Sequence, residues 1–237
     1  MPSFIDAVEQ LTGSGLNEGQ SAAFELYAAE LADWNQRLNL TAIRDPEGVR
    51  IRHFLDSLSC LQATGDLAGQ QVADVGAGAG FPGLPLKIVQ PGMQLTLFES
   101  VAKKTAFLEH IVQVLGLEGV EVVTARAEEA GQDPATRERF DWAIARALAP
   151  MPVLVEYLLP LVKVGGCILA QKGKEARLEA QAGQTAIELL GGQLGPLQEV
   201  RVPGLDEERW LVVVNKVAET PAKYPRRPGM PAKRPLG

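Results

Sequence analysis

The sequence predicts an α/β fold: a mostly parallel sheet of seven strands with helices on both faces, antiparallel at its end and preceded by a helical section. Three observations carry this. Between residues 71 and 171 short apolar runs alternate with helical patterns. The last two strand-like runs are joined only by "VPGLDEE", too short for a parallel crossover. Before residue 65 apolar residues recur instead at spacings of three and four, the period of one helix face.

The first helix runs from Asn17 to about Arg37, with Phe24, Tyr27, Leu31, Trp34 and Leu38 inward. A second runs from about Pro46 to Leu61, Pro46 suiting a first turn and Val49, Phe54, Leu55 and Leu58 facing the core. The turn-rich "ATGDLAGQ" closes this 1–65 section. Strands follow at 71–75, 94–99, 120–125, 140–145, 165–171, about 197–202 and 209–216. Helical patterns lie at about 82–90, 101–115, 127–131, 151–163 and 174–190. The main domain is thus 66–217. Residues 218–237 form a Pro-rich basic tail expected to lack regular structure.

Of the 237 residues, 46% are hydrophobic and 22% charged, ordinary for a globular chain. The two cysteines, Cys60 and Cys167, have no metal-ligand spacing, so no metal site is expected and a reducing compartment is. The first residues are acidic rather than basic-then-apolar, and no apolar run approaches the roughly 18 residues of a membrane span. A soluble, cytoplasmic monomer with no membrane contact is expected. The net charge of −6 argues against nucleic acid, but its distribution does not: Lys223, Arg226, Arg227, Lys233 and Arg234 face Glu219 alone in the tail. A basic tail on an acidic body suits a nucleic-acid arm, and equally a solvated terminus.

The stretch "VADVGAGAGFPGLPLKIVQPG" (72–92) is a glycine-rich strand-to-helix turn, the usual seat of a nucleotide-like ligand. It has no GxxxxGK[ST], which excludes a P-loop. Gly78-Ala-Gly80-Phe-Pro-Gly83 matches the dinucleotide pattern, but Pro82 and Pro85 remove N–H donors that a pyrophosphate wants. Asp74, just before the turn, would repel a pyrophosphate and suit a cation. S-adenosylmethionine has a sulfonium, an ammonium and no phosphate. For it the frame is Asp74-x-Gly76-x-Gly78-x-Gly80, with Asp74 serving the ammonium directly or through water. Glu99 ends the next strand, where an acid meets ribose hydroxyls, and Ser100 follows it. Ala127 and Glu128 stand where an adenine edge would lie, although acids are also favoured at any helix start.

Several motifs in order resemble one family: "WNQRLNLTAIRDPEGVRIRHFLDSL" (34–58), "DVGAGAGFPGLPLKI" (74–88), "LFESVAKKTAFLE" (97–109), "TARAEE" (124–129), "ARALAP" (145–150) and "KYPRRPGMPAKRPLG" (223–237). They are similar to the bacterial 16S rRNA guanine-N7 methyltransferases, the RsmG or GidB family, over nearly the whole chain. The resemblance implies a class I methyltransferase fold, Rossmann-like. It implies methyl transfer from S-adenosylmethionine to N7 of a guanosine in the 530 loop of 16S rRNA. It also implies donor contacts at Gly76, Phe81, Glu99, Ala127, Glu128 and Arg146.

The residues agree with that chemistry without singling it out. Guanine N7 has a free lone pair and no proton, so positioning and desolvation suffice. The fourth strand is followed by "ARALAP" rather than the Asn/Asp-Pro-Pro-aromatic run of exocyclic-amine methyltransferases. Cys60 and Cys167 are expected to be inert. Arg146 is the candidate catalytic residue, able to bind a methionine carboxylate, an RNA phosphate or guanine O6; pairing with a neighbouring acid is the alternative. His53 and His110 have no partner at catalytic spacing. Arg37, Arg44, Arg50 and Arg52, with the tail, can form an RNA-facing surface. Donor binding is expected to be independent of the tail, because its contacts lie between Asp74 and Arg146. Methylation of another substrate, and an NAD(P)-dependent oxidoreductase, remain open on the residues alone.

Overall fold

The structure is a computed structural model that describes residues 3–237. The chain begins with α1 (Phe4–Thr12) and α2 (Glu18–Leu38). The Ser3–Asp6 and Asn17–Gln20 capping boxes start them by satisfying orphan N–H groups. The expected second helix is one rod in three pieces: α3 (Pro46–Val49), a π-helical stretch Arg50–Leu55, and α4 (Asp56–Leu58). A short α5 (Leu61–Thr64) precedes the sheet. Helix α1 has no counterpart among the helices expected from periodicity.

Seven strands form one sheet: β1 (Gln71–Val75), β2 (Gln94–Glu99), β3 (Val120–Thr124), β4 (Phe140–Arg146), β5 (Val162–Lys172), β6 (Gly192–Val200) and β7 (Arg209–Lys216). Their order is 3-2-1-4-5-7-6. All pairs from β3 to β5 are parallel, and β7 is antiparallel to both β5 and β6. Between them run α6 (Gly83–Val89), α7 (Ala102–Val114), α8 (Ala127–Gln132), α9 (Met151–Leu158), α10 (Ala176–Ala182) and α11 (Gln184–Leu189). The seven-stranded α/β fold read from the sequence is therefore present.

Two edges differ from expectation. Strand β6 starts at Gly192, not near 197, because a register shift between Leu194 and Leu197 absorbs Gly195 and Pro196. A bulge in an edge strand accepts a proline that would break a central one. The helical pattern 174–190 breaks at Gly183, where a Cβ would stand 3.1 Å from the Cβ of Met151.

Each face of the sheet carries its own core. One joins Phe24, Tyr27, Leu31, Phe54 and Leu58 of the N-terminal helices to Val72, Leu84 and Phe107. The helical section is thus packed on the sheet and shares its core. The other joins Ala73, Val75 and Ile168 to Leu154, Leu158 and Ile187, and includes Tyr224. The strand order reverses between β1 and β4, and at such a switch point the connections diverge and leave a crevice at the strand C-termini. Among the described residues no helix is long and apolar enough to cross a membrane, and no cluster of metal-ligating side chains is present.

Candidate active site

The turn after β1 passes through Gly76, Gly78 and Gly80 at φ +73, +61 and +93, values that side chains resist. Their surroundings differ. A Cβ at Gly80 would lie 2.4 Å from Leu84 Cδ1 and 2.6 Å from Tyr27 Oη, and one at Gly76 would lie 2.6 Å from Leu148 Cδ1. A Cβ at Gly78 would meet only the Gly76 carbonyl at 3.8 Å. Gly78 alone therefore presents open backbone. Its N–H donates to Glu99 Oε2 at 3.0 Å, and Val101 N–H donates to Oε1 at 2.9 Å. This fixes a carboxylate only 5% exposed at the end of β2, with lone pairs left for further donors.

A cavity opens beside this turn, lined by Gly76, Ser100, Ala127, Glu128, Leu148 and Tyr157. Of the expected donor residues, Gly76, Ser100, Ala127 and Glu128 meet there. Phe81 does not line it: its ring is stacked between His53 (centroids 4.4 Å apart, 12°) and Tyr27 (5.5 Å, 19°). Asp74 does not open onto it either. Its side chain is fully buried, Oδ2 accepts from Gly83 N–H at 2.8 Å, and Oδ1 has no partner. Burial raises its pKa to about 7, against the opposing Gly83 hydrogen bond and Arg146 charge. Asp74 thus braces the start of α6 from beneath the turn instead of reaching a ligand across open space. The set suits a nucleoside with a cationic sulfur: open backbone at Gly78 and a fixed acid, Glu99, at the end of β2, able to accept from ribose hydroxyls. It does not suit a pyrophosphate, because prolines occupy the helix start.

On the other side of Leu148 lies a wider cleft, lined by His53, Asp56, Arg146, Gln171, Lys172 and Arg209. Ala147, at φ +52, turns the chain after β4 so that Leu148 stands between the two cavities. Arg146 does pair with an acid, but in the interior rather than at the surface. Its Nη1 donates to Asp56 Oδ2 at 2.9 Å and to the Arg52 carbonyl at 3.0 Å; its Nη2 meets His53 Nδ1 at 3.1 Å. Asp56 Oδ1 accepts from Arg209 Nε at 2.8 Å, so one carboxylate, 3% exposed, holds two guanidiniums. His53 Nε2 lies 2.7 Å from Thr41 Oγ1. With Nδ1 accepting from Arg146, the imidazole is neutral and carries its proton on Nε2. Burial first, and then the Arg146 charge, push its pKa down to about 3.

His53, Asp56, Lys172 and Arg209 escaped sequence reasoning, which gave His53 no partner at catalytic spacing. One signal was available: His53 and Asp56 lie three apart, so they share a helix face. The π-helical stretch that carries His53 is itself a form common at functional sites. Cys60 is buried and Cys167 packs against Asn215, burial raises both thiols, and neither lines these cavities. Arg37, Arg50 and Arg52 form surface pairs with Asp33, Glu25 and Glu207, while Arg44 is exposed.

The basic segment 218–237 corrects two expectations. It is docked and includes a helical turn, α12 (Met230–Lys233). Arg226 is committed to an ion pair with the fully buried Glu156, at 2.6 Å. Lys223, Arg227, Lys233 and Arg234 are exposed. The lining of the cavity beside the glycine turn also extends beyond residues 74–146: Gly229 and Ala232 line it, and Gly229 N–H donates to Glu128 Oε1 at 2.8 Å.

Comparison with known proteins agrees with this geometry. Residues 20–207 match the family model GidB, described as rRNA small subunit methyltransferase G. The ribosomal RNA small subunit methyltransferase G of Roseiflexus sp. (strain RS-1) is 51% identical over 94% of this chain and 95% of its own. That of Alkaliphilus metalliredigens (strain QYMF) is 46% identical over 98% and 96%. Among solved structures, a SAM dependent methyltransferase from Aquifex aeolicus superposes with a TM-score of 0.53 at 19% identity, over 72% of this chain and 93% of that one. M. jannaschii TYW2, solved in complex with AdoMet, gives 0.51 at 15% identity, over 64% and 70%. These two speak for the fold alone. The chain belongs to the rRNA small subunit methyltransferase G family, and its methyl donor is S-adenosylmethionine.

Proposed function

We propose that this chain methylates N7 of a guanosine in the 530 loop of 16S rRNA, within the small ribosomal subunit. The observation that carries this reading is the cleft across Leu148, whose lining is rich in hydrogen-bond donors and whose carboxylates and imidazole are each already paired with a cation. Asp56 is shared by Arg146 and Arg209, Glu179 is paired with Lys172 at 2.7 Å, and the accepting nitrogen of His53 is taken by Arg146. An acceptor atom that must first lose a proton would have to compete with those cations for a base. Guanine N7 needs none, because its in-plane lone pair is already available.

When bound, S-adenosylmethionine supplies an electrophilic methyl on a positively charged sulfur. The chain's own part is positioning. Arg146 Nε and Arg209 Nη2 make no hydrogen bond among the described residues. They are donors suited to O6, the acceptor next to N7 on the guanine edge, or to a flanking phosphate. Asp56 holds both forks in place, and the Phe81–His53 stack closes the floor beneath Arg146, whose Cζ lies 5.1 Å from the Phe81 centroid. Exposed Lys223, Arg227, Lys233 and Arg234 offer further phosphate contacts.

The test is mass mapping of 16S rRNA nucleosides from cells with and without the gene. N7-methylguanosine in the 530-loop fragment should vanish on deletion and return with the wild-type chain. Its persistence, or loss of a different modification, would contradict the assignment.

A further inference from the structure

The cofactor cavity is closed by a segment that comes from more than a hundred residues downstream of its glycine turn. Residues 220–229 are tied down one after another. Arg137 donates from Nη2 to the Thr220 carbonyl and from Nη1 to the Tyr224 carbonyl, each at 2.7 Å. Gln132 Nε2 donates to the Pro225 carbonyl at 2.7 Å. Arg226 gives its backbone N–H and Nε to Glu156 Oε1, at 2.8 and 2.9 Å, and Nη2 to Oε2 at 2.6 Å. Gly229 then turns at φ +81 and caps Glu128, and the next helical turn brings Ala232 to the cavity wall. Beyond Gly229, among the described residues, only apolar contacts, chiefly of Pro231 and Leu236, hold the chain to the body. The anchors therefore end where the cavity wall begins.

The same short wall carries exposed charge. Arg227, Lys233 and Arg234 are solvent-facing and form no ion pair among the described residues, unlike Arg226 four ångström-scale contacts of which are internal. We propose that Gly229–Ala232 is the closing wall of the adenosine subsite, and that RNA phosphates engaging Arg227, Lys233 and Arg234 hold this wall shut, linking donor retention to RNA binding. The RNA half rests on the reading given under Proposed function. A ligand under the wall and a ligand on its outer side both favour the docked position, so each tightens the other by the same factor.

The test uses the full chain and S-adenosylhomocysteine, the demethylated donor, titrated calorimetrically with and without a transcript of the 530-loop region. Ala232→Trp, a change at an exposed position that intrudes on the cavity, should weaken S-adenosylhomocysteine at least tenfold while the melting temperature of the free protein holds. Hydrogen exchange in the peptide 224–234 should slow when S-adenosylhomocysteine is added. The RNA should tighten S-adenosylhomocysteine by about fivefold or more, within the usual range of such couplings. That gain should disappear when Arg227→Ala, Lys233→Ala and Arg234→Ala are combined. Unchanged affinity in Ala232→Trp together with unchanged exchange would overturn the wall. RNA that binds the chain but leaves S-adenosylhomocysteine affinity unaltered would overturn the linkage. RNA that does not bind at all would instead overturn the RNA reading, while the donor arms still decide the wall.

Discussion

The cavity beside the glycine turn and the cleft across Leu148 are neighbours built by opposite means. The first is lined largely by backbone and small residues, Gly76, Ser100, Ala127, Gly229 and Ala232, with Glu128 on its wall and Glu99 beside it both held by main-chain N–H groups. The second is made of long charged side chains fixed on one another, with Asp56 at the centre of two guanidiniums. The difference teaches how each site reaches precision. A backbone site is rigid because the fold is rigid. A charged site is rigid only while every partner is present, since one lost partner leaves a buried charge uncompensated.

The cleft should therefore be the more fragile of the two. Arg146→Ala should lower the methylation rate by roughly 10²–10³-fold, the scale for losing a preorganised donor, and destabilise the fold by about 3 kcal/mol, because Asp56 keeps only Arg209. Arg146→Lys should recover part of the stability and little of the rate, as a point charge does not replace a planar fork. Asp56→Asn should fall in the same range. Steady-state kinetics and urea unfolding read both effects; wild-type rates in either variant would remove the cleft from the reaction.

The turn should separate its glycines. Gly78→Val should abolish S-adenosylhomocysteine binding yet fold, with about 1–2 kcal/mol of strain at φ +61. Gly80→Ala should instead unfold more readily, because its Cβ would drive into Leu84 and Tyr27. Calorimetric titration and thermal melting of both variants check this. Equal stability losses would mean the two positions are not distinguished by their surroundings.

The last effect concerns Asp74 and is read only through pH. Its folded pKa of about 7 lies above its ordinary value of about 4. Between those values the folded state holds a proton that the unfolded state has lost. Stability from this group is thus full below about pH 4 and lost as pH rises through about 7, by at most about 4 kcal/mol. His53 acts in the opposite sense, its neutral folded form losing stability as pH falls below about 6.5 toward 3. Urea unfolding of wild type and Asp74→Asn at pH 4.5 and 8 cancels the His53 part, and the variant should lose less stability on raising the pH. Parallel losses would show that Asp74 ionises normally.

These regions were unequally legible in the sequence. The glycine turn and all seven strands are local patterns, each set by contiguous residues, and they appear where the sequence puts them to within a few residues except at the β6 bulge and the start of β5. The cleft was opaque because its pairs span the chain: Asp56 meets Arg146 across 90 positions and Arg209 across 153. No spacing rule reaches that far, so His53 and Asp56 read as ordinary helix residues. The segment 223–237 misled for another reason. Its prolines and glycines forbid long helices and strands, but they do not forbid docking, and its anchors at Glu156 and Glu128 lie 70 and 101 positions away.

In the proposed function the two cavities together serve methyl transfer to an atom that carries no proton, by orientation and not by a base. Single-turnover methylation of the 530-loop transcript, with wild-type chain at saturating donor between pH 6.5 and 8.5, bears on this. The rate should vary by less than about threefold over the range and change little in heavy water, because the N7 lone pair is available at every pH tested and no proton moves in the step. A rate that climbs close to tenfold per pH unit, or one that falls severalfold in heavy water, would show that a proton leaves the acceptor during transfer and that the acceptor is not guanine N7.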